Sequence, residues 1–374
     1  MITVTPSASR LQSAIRNPQS AIPTRVLIIG PSNIGDAILT SDVIAAVRDR
    51  FPEAHVALVV GERATALFVE DPRIQTLVDA DRFDSPLGRL RLAWALWRYR
   101  PHVIVDLRHT LYPLLLKPWA AWRYLRRPPK ALTHMRERHL WKLRVQVPGL
   151  KERSGFRVPG SGYLPRAQSP EPRALWYSAK DISHVEGLGK RWGLDGSRRL
   201  VIVCPGARSH IKRWTAEGFA RVADRLITEA RAQVVFSGEP DEGPVIEEIL
   251  ALMGQRAHSA VGQTTIRQLG ALMSRSRLVI ANDSASLHVA SALGVPMVAI
   301  FGPTDAAKYG PTSPQSRVVR RRLFCAPCEQ PLCRFNHECM RFITPDEVYD
   351  AARQLLDGVA SSEQRAASED VRKP

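Results

Sequence analysis

The sequence predicts an α/β protein made of two Rossmann-like units facing across a cleft. Three observations predict it. Short apolar runs alternate with helix-periodic stretches in both halves of the chain, which argues parallel strands covered by helices. Each half opens on an apolar run closed by a glycine turn, "RVLIIGPSNIGD" at 25–36 and "LVIVCPGA" at 200–207. The length of 374 residues suits about two domains of ordinary size. In such sheets ligands bind beyond the carboxyl ends of the strands.

In chain order, "RVLIIG" (25–30) reads as a buried strand, and "DAILTSDVIAAVRDRF" (36–51) has helical spacing at Ile38, Val43, Ile44 and Val47. "HVALVV" (55–60) and "IQTLVDA" (74–80) read as strands, "LGRLRLAWALWRYR" (87–100) as a helix, and "HVIVDLR" (102–108) as a strand. A basic segment, 117–153, follows as helices broken at Pro118 and 127–129. The Gly-, Pro- and Ser-rich stretch after it places a linker near residue 170. The second half repeats the alternation: strands at 200–207, 233–236, 278–283 and 296–301, with helices at 216–230, 243–254, in "TIRQLGALMSRS" and at 286–294. A Thr-x-x-Glu capping box opens a last helix over 344–358. The expected division is a loose tail (1–24), an acceptor unit (25–170), a donor unit (171–345), and a C-terminal helix with a frayed end (346–374).

Formal net charge is +17. That points to an acidic partner: nucleic acid, an anionic membrane surface or a phosphorylated substrate. From Lys117 to Arg153, eleven Lys/Arg stand against two Glu, with Trp119, Trp122, Tyr124 and Trp141 interleaved. No apolar run approaches the roughly 20 residues needed to cross a bilayer. The first 24 residues carry no apolar core of a secretory signal. A cytoplasmic, reducing setting is therefore expected, with disulfides not the first reading.

The first glycine turn is neither a Walker loop, since Asp36 and Ala37 stand where Lys and Ser/Thr belong, nor G-x-G-x-x-G, since position 32 is Ser. Asp36 reads either as a first-turn acid on a helix dipole or as a general base held ionised there. "PGARSHIKRW" (205–214) packs Arg208, His210, Lys212 and Arg213 after a strand; it is a solvated basic loop or a clamp on a diphosphate. "FSGEPDE" (236–242) offers an acid for two ribose hydroxyls, with Glu239, Asp241 and Glu242 not separable by pattern. "ANDSASLH" (281–288) offers N–H groups at a helix start to a diphosphate, or ordinary capping. "FGPTD" (301–305) brings Gly302, Pro303 and Thr304 to the same cleft as donor contacts. Asn33, Arg108, Arg136 and Arg138 are candidates for contact with an anionic acceptor. Cys325, Cys328, Cys333 and Cys339 would permit a structural zinc site. With one Cys-x-x-Cys knuckle instead of two, reduced thiols in a compact loop are the preferred reading.

Taken together, "RVLIIGPSNIGDAILTSDVI", "VIVDLR", "PGARSHIKRWTAEGFARVADRL", "FSGEPDE" and "LVIANDSASLHVASALGVPMVAIFGPTD" resemble the heptosyltransferases, glycosyltransferase family 9, over roughly 25–358. The resemblance implies a GT-B fold. It implies inverting transfer of a heptose or similar sugar from an ADP-sugar to a lipopolysaccharide inner core or related glycan, with no metal in the chemistry. By resemblance Asp36 is the catalytic base, Lys212 serves the donor phosphates and Glu242 the donor ribose. Asp283, Ser284, Ala285 and Ser286 form the diphosphate turn, with His288 close behind. Ala285 departs from the glycine common at that place. The partners implied are a nucleotide-sugar donor and an anionic glycolipid acceptor at the cytoplasmic face of a membrane, with no nucleic acid. Rival readings are a nucleotide-sugar epimerase on a similar fold and a basic RNA-binding protein with a zinc element.

Overall fold

The computed structural model describes residues 24–147, 175–194 and 196–370, with side chains to 358. The expected loose tail and the linker near 170 lie outside the described residues. The chain divides into two compact units, Met1–Trp176 and Tyr177–Pro374.

Unit 1 contains β1 (Arg25–Ile29), α1 (Ile34–Arg50), β2 (His55–Val60), α2 (Glu62–Phe68), β3 (Thr76–Asp79), α3 (Pro86–Tyr99), β4 (Val103–Asp106), α4 (Tyr112–Leu116), α5 (Ala121–Leu125) and α6 (Met135–Gln146). Its parallel strands run in the order β3-β2-β1-β4. The order reverses between β1 and β4, where Ile29 is in register with Asp106. A crevice therefore opens beyond those two strand ends, and the first turn of α1, which carries Asp36, follows the end of β1. One sheet face buries Leu27, Ile29, Ala57, Val59 and Ile104 under Leu92, Leu96, Ala120 and Tyr124. α3, α5 and the turn before α5 thus form one layer on that face.

α6 packs against α1 and β4. Gln146 pairs with the edge of β4: its Oε1 accepts Asp106 N–H at 2.8 Å and its Nε2 donates to Asp106 C=O at 3.0 Å. Lys142 Nζ donates to Leu107 C=O, and burial pulls its pKa down to about 8. His139 is 2% exposed and its Nδ1 has no partner among the described residues. Burial, helped by Lys142, Arg138 and His134, holds its pKa down at about 3. The unfolded imidazole titrates near 6.5 and so takes up a proton first as pH falls. Stability then declines below about pH 6.5, by at most ~1.4 kcal/mol per pH unit. His139→Leu is expected to flatten this slope in urea melts between about pH 6.5 and 4.5; an unchanged slope would place the acid sensitivity elsewhere.

Unit 2 contains α7 (Ala179–Arg191), β5 (Leu200–Cys204), α8 (Ala216–Thr228), β6 (Gln233–Phe236), α9 (Gly243–Leu252), β7 (His258–Ser259), α10 (Ile266–Met273), β8 (Leu278–Asn282), α11 (Ala285–Leu293), β9 (Met297–Phe301), α12 (Ala306–Tyr309), β10 (Ser316–Arg320), α13 (Glu338–Arg341) and α14 (Pro345–Asp370). The parallel order is β10-β9-β8-β5-β6-β7, reversing between β5 and β8. Its core joins β5, β6 and β8 to Trp214, Phe219 and Leu226, and to Val348, Tyr349 and Leu356 of the last helix. α14 is therefore part of this unit. It keeps the expected capping box, Glu347 N–H to Thr344 Oγ1 at 3.3 Å and Thr344 N–H to Glu347 Oε2 at 2.9 Å. It runs to Asp370 instead of ending at Gly358.

Candidate functional site

In unit 2, four neighbouring strand ends, in the spatial order β9, β8, β5 and β6, bring the predicted donor residues together. Asp283 follows β8 and is 6% exposed. Lys212 Nζ lies 2.7 Å from Asp283 Oδ2, and Thr304 Oγ1, beyond β9, donates to the same oxygen at 2.6 Å. The loop that carries Lys212 is held by Asn282, which ends the otherwise apolar β8 and is fully buried. Asn282 Nδ2 donates to Pro205 C=O at 2.6 Å, and its Oδ1 accepts Trp214 N–H at 3.2 Å. Arg213 Nε closes the loop on Ala207 C=O at 2.9 Å. Pattern reading missed Asn282; a lone amide at the end of a buried apolar strand was the available signal.

The three acids after β6 separate cleanly. Glu239 and Asp241 are exposed. Glu242 turns inward: its Oε2 accepts Glu239 N–H at 2.9 Å. A Cβ on Gly206 would lie 1.9 Å from Glu242 Oε1, and one on Gly238 would lie 2.9 Å from Oε2. Only glycine at 206 lets the β5 turn meet this carboxylate. Burial raises the Glu242 pKa above the usual range, against the Glu239 N–H that lowers it.

Ser284 is the N-cap of α11 but makes no side-chain cap bond; its Oγ meets Ser286 Oγ at 2.7 Å. The N–H groups of Ala285 and Ser286 therefore begin a nine-residue helix with no hydroxyl folded over them. Such a terminus favours an anion. His288 is buried one turn on, at 7% exposure. The buried Cys204 thiol, raised to about 12 by burial, is bonded to Ser286 beneath the turn.

The cysteine segment stands beside the Gly302–Thr304 turn. Cys328 and Glu329 both donate their N–H to Pro303 C=O at 2.9 Å. A Cβ on Gly302 would meet Met340 Sδ at 2.3 Å and Cys339 Sγ at 3.1 Å. Burial and then the Cys333, Cys325 and Cys328 thiols raise Cys339 to about 11. All five cysteines are free of disulfide bonds. Cys325, Cys328, Cys333 and Cys339 line one cavity with His337, and among the described residues no group of three or more His, Cys, Asp or Glu is placed to hold a metal ion. What the segment does is brace the turn that carries Thr304.

In unit 1, Asp36 is half-buried in the first turn of α1, with Asn33 exposed at the N-cap. Asp106, at the end of β4, accepts Arg108 N–H at 2.9 Å and Thr110 Oγ1 at 3.0 Å. This bends the chain so that the Arg108 side chain stands exposed beside the crevice. Arg138 is half-buried. Arg136 is held by Asp42 of α1 in an ion pair, which ties α6 to the helix that carries Asp36. One Asp-x-Asp pair, Asp79 and Asp81, serves its own turn: Asp79 bonds Asp81 N–H and Arg82, and Asp81 bonds Glu62 N–H. No helix among the described residues is long and apolar enough to cross a membrane.

The family model for glycosyltransferase family 9 (heptosyltransferase) matches residues 171–338. A lipooligosaccharide heptosyltransferase 2 of Campylobacter jejuni is 31% identical over 352 residues, 89% of this chain and 98% of that one. Among solved structures, a glycosyltransferase family 9 protein of Veillonella parvula superposes with TM-score 0.73 at 22% identity, over 91% of this chain and 99% of that chain. The Escherichia coli ADP-heptose lps heptosyltransferase II superposes with TM-score 0.66 at 23% identity, over 90% and 100%. These likenesses show the GT-B class of fold, two parallel α/β units. With a relative of 31% identity matched along nearly its whole length, the chain belongs to glycosyltransferase family 9, the heptosyltransferase family.

Proposed function

We propose that this enzyme transfers a heptose from ADP-heptose to an inner-core lipopolysaccharide acceptor, with inversion at the anomeric carbon. The observation that carries the reading is the convergence of Lys212, Asp283, Thr304 and Glu242 at four adjacent strand ends of unit 2. A cation, an open helix start and an inward carboxylate suit a diphosphate and a ribose. The names of the Campylobacter and Escherichia relatives support the sugar and the acceptor class.

In this reading an acceptor hydroxyl attacks the anomeric carbon while the bond from that carbon to the diphosphate oxygen breaks. The proton passes to Asp36, and ADP departs with the electron pair. Lys212 and the N–H groups at the start of α11 stabilise the charge on the departing diphosphate. Asn33, Arg108 and Arg138 contact the anionic acceptor, and Arg136 supports them from its pair with Asp42. No metal enters the chemistry, and the cysteine segment acts through its bracing of the Thr304 turn. An acceptor of this class is anchored in lipid, so the enzyme works as a peripheral protein on the cytoplasmic face of a membrane.

Thermal melting across ADP, UDP, GDP and ADP-heptose tests the donor. A ligand at about 100 times its Kd contributes ~2.7 kcal/mol, or roughly 3–4 °C for a chain of this size. ADP and ADP-heptose are expected to give that rise and UDP and GDP a smaller one. No response to any of the four would sink the reading.

A further inference from the structure

Unit 1 carries an outward apolar face that transfer of a sugar does not require. α3 has two apolar sides. Gly88, Leu92 and Leu96 are buried. Leu87, Leu90, Trp94 and Trp97, spaced by three and four residues, share the opposite side. They are 57–67% exposed. The stripe continues across the neighbouring elements of the same layer. α4 packs on α3, and α5 packs on α4. There Leu111, Leu115 and Leu125 are exposed, with Trp122 at 57% and Trp119 at 75%. The inner sides of this layer lie in the core, so these residues project from its outer side. Tyr124, read with them in the sequence, is buried, and α6, the most basic helix, packs on α1, β4 and α5.

A soluble protein rarely exposes so many large apolar groups together unless they meet a partner. Charge identifies the partner. From Pro86 to Lys130 there are ten Lys/Arg and one acid, Asp106, and Asp106 is buried at 1% exposure. Arg98 lies over the Trp94 ring at 5.3 Å and Arg123 over the Trp122 ring at 5.3 Å. Indole rings beside guanidinium groups suit the boundary between acyl chains and anionic headgroups. A nucleic acid would use the arginines but leave the leucines of α3 and α4 in water.

We propose that the outer side of α3, α4 and α5 is a docking face for an anionic lipid bilayer, with Trp94, Trp97, Trp119 and Trp122 at the headgroup level. The face is argued from exposure and charge alone; only the purpose of docking rests on the proposed acceptor.

The test is co-sedimentation of the full chain with phosphatidylcholine vesicles, with and without phosphatidylglycerol, over a range of salt. Tryptophan emission is read in parallel. Binding is expected with phosphatidylglycerol only, with a blue shift, and is expected to fall steeply with salt. Trp94→Ser with Trp97→Ser is expected to weaken binding at least about tenfold. Arg98→Ala with Arg123→Ala is expected to weaken it about thirtyfold at low salt. Melting temperature and response to ADP should stay unchanged in both variants. Absence of vesicle binding overturns the proposal, even where ADP-heptose transfer is intact. So does binding that ignores these substitutions, or binding of random RNA through these tryptophans in place of lipid. Failure of the donor reading alone leaves the vesicle result standing.

Discussion

Asp36→Ala is expected to lower turnover about 10²–10⁴-fold while leaving ADP affinity unchanged. The size follows from the role: a general base contributes only in the transition state, so its loss appears in kcat and not in donor binding. The location supports the role. Asp36 sits in the first turn of α1, at the point where the strand order of unit 1 reverses. A helix start favours the ionised carboxylate by up to about 1 kcal/mol at an exposed position, and an ionised carboxylate is what a base requires. Asp36→Asn keeps the shape and removes the basicity, so it should lose as much as the alanine variant. The measurement is initial rate at saturating donor, with ADP affinity by calorimetry. Retention of more than a few per cent of activity would remove Asp36 from this role, and equal losses in ADP affinity would recast it as a structural acid.

Lys212→Ala is expected to weaken ADP binding about 10–100-fold, because charge-assisted bonds contribute about 1.5–3 kcal/mol. It should also lower turnover, since charge builds on the diphosphate as it leaves. The same change acts on the fold. Asp283 is buried and shares one oxygen between Lys212 and Thr304. Breaking a wholly buried pair costs about 3–5 kcal/mol. The Lys212 side chain is 31% exposed, so a loss of about 1–3 kcal/mol is expected here. Removing Asp283 as well separates the two effects: Lys212→Ala with Asp283→Ala should recover stability and leave donor affinity low. Calorimetry with urea melts reads both. Donor affinity and rate both unchanged in Lys212→Ala would end its assignment to the phosphates.

The strands and their glycine turns were open to sequence reading because a buried parallel strand is a short apolar run with a sharp end. The turns at 205–213 and 282–288, proposed to hold the diphosphate, were found at such strand ends. What pattern could not supply were choices made by distant packing. Glu242 was one of three acids after β6, and only its approach to Gly206 singles it out. Arg136 is an acceptor candidate by pattern, and its ion pair with Asp42, 94 residues away, was not legible there. "LGRLRLAWALWRYR" read correctly as a helix, yet which apolar side met the core depended on a sheet the stretch itself does not contain. The last helix is read over 344–358 because the residues after it are polar, and the helix nevertheless continues to Asp370.

The amide of Gln146 against β4 bears on how copies of this protein behave in a crowded solution. β4 is an edge strand, and an edge strand with an open row of donors and acceptors invites another chain to extend the sheet. At Asp106 both groups are already taken, N–H and C=O alike, by one side chain. Growth of the sheet from this end is blocked where the crevice opens, and the sheet terminates without a covering strand.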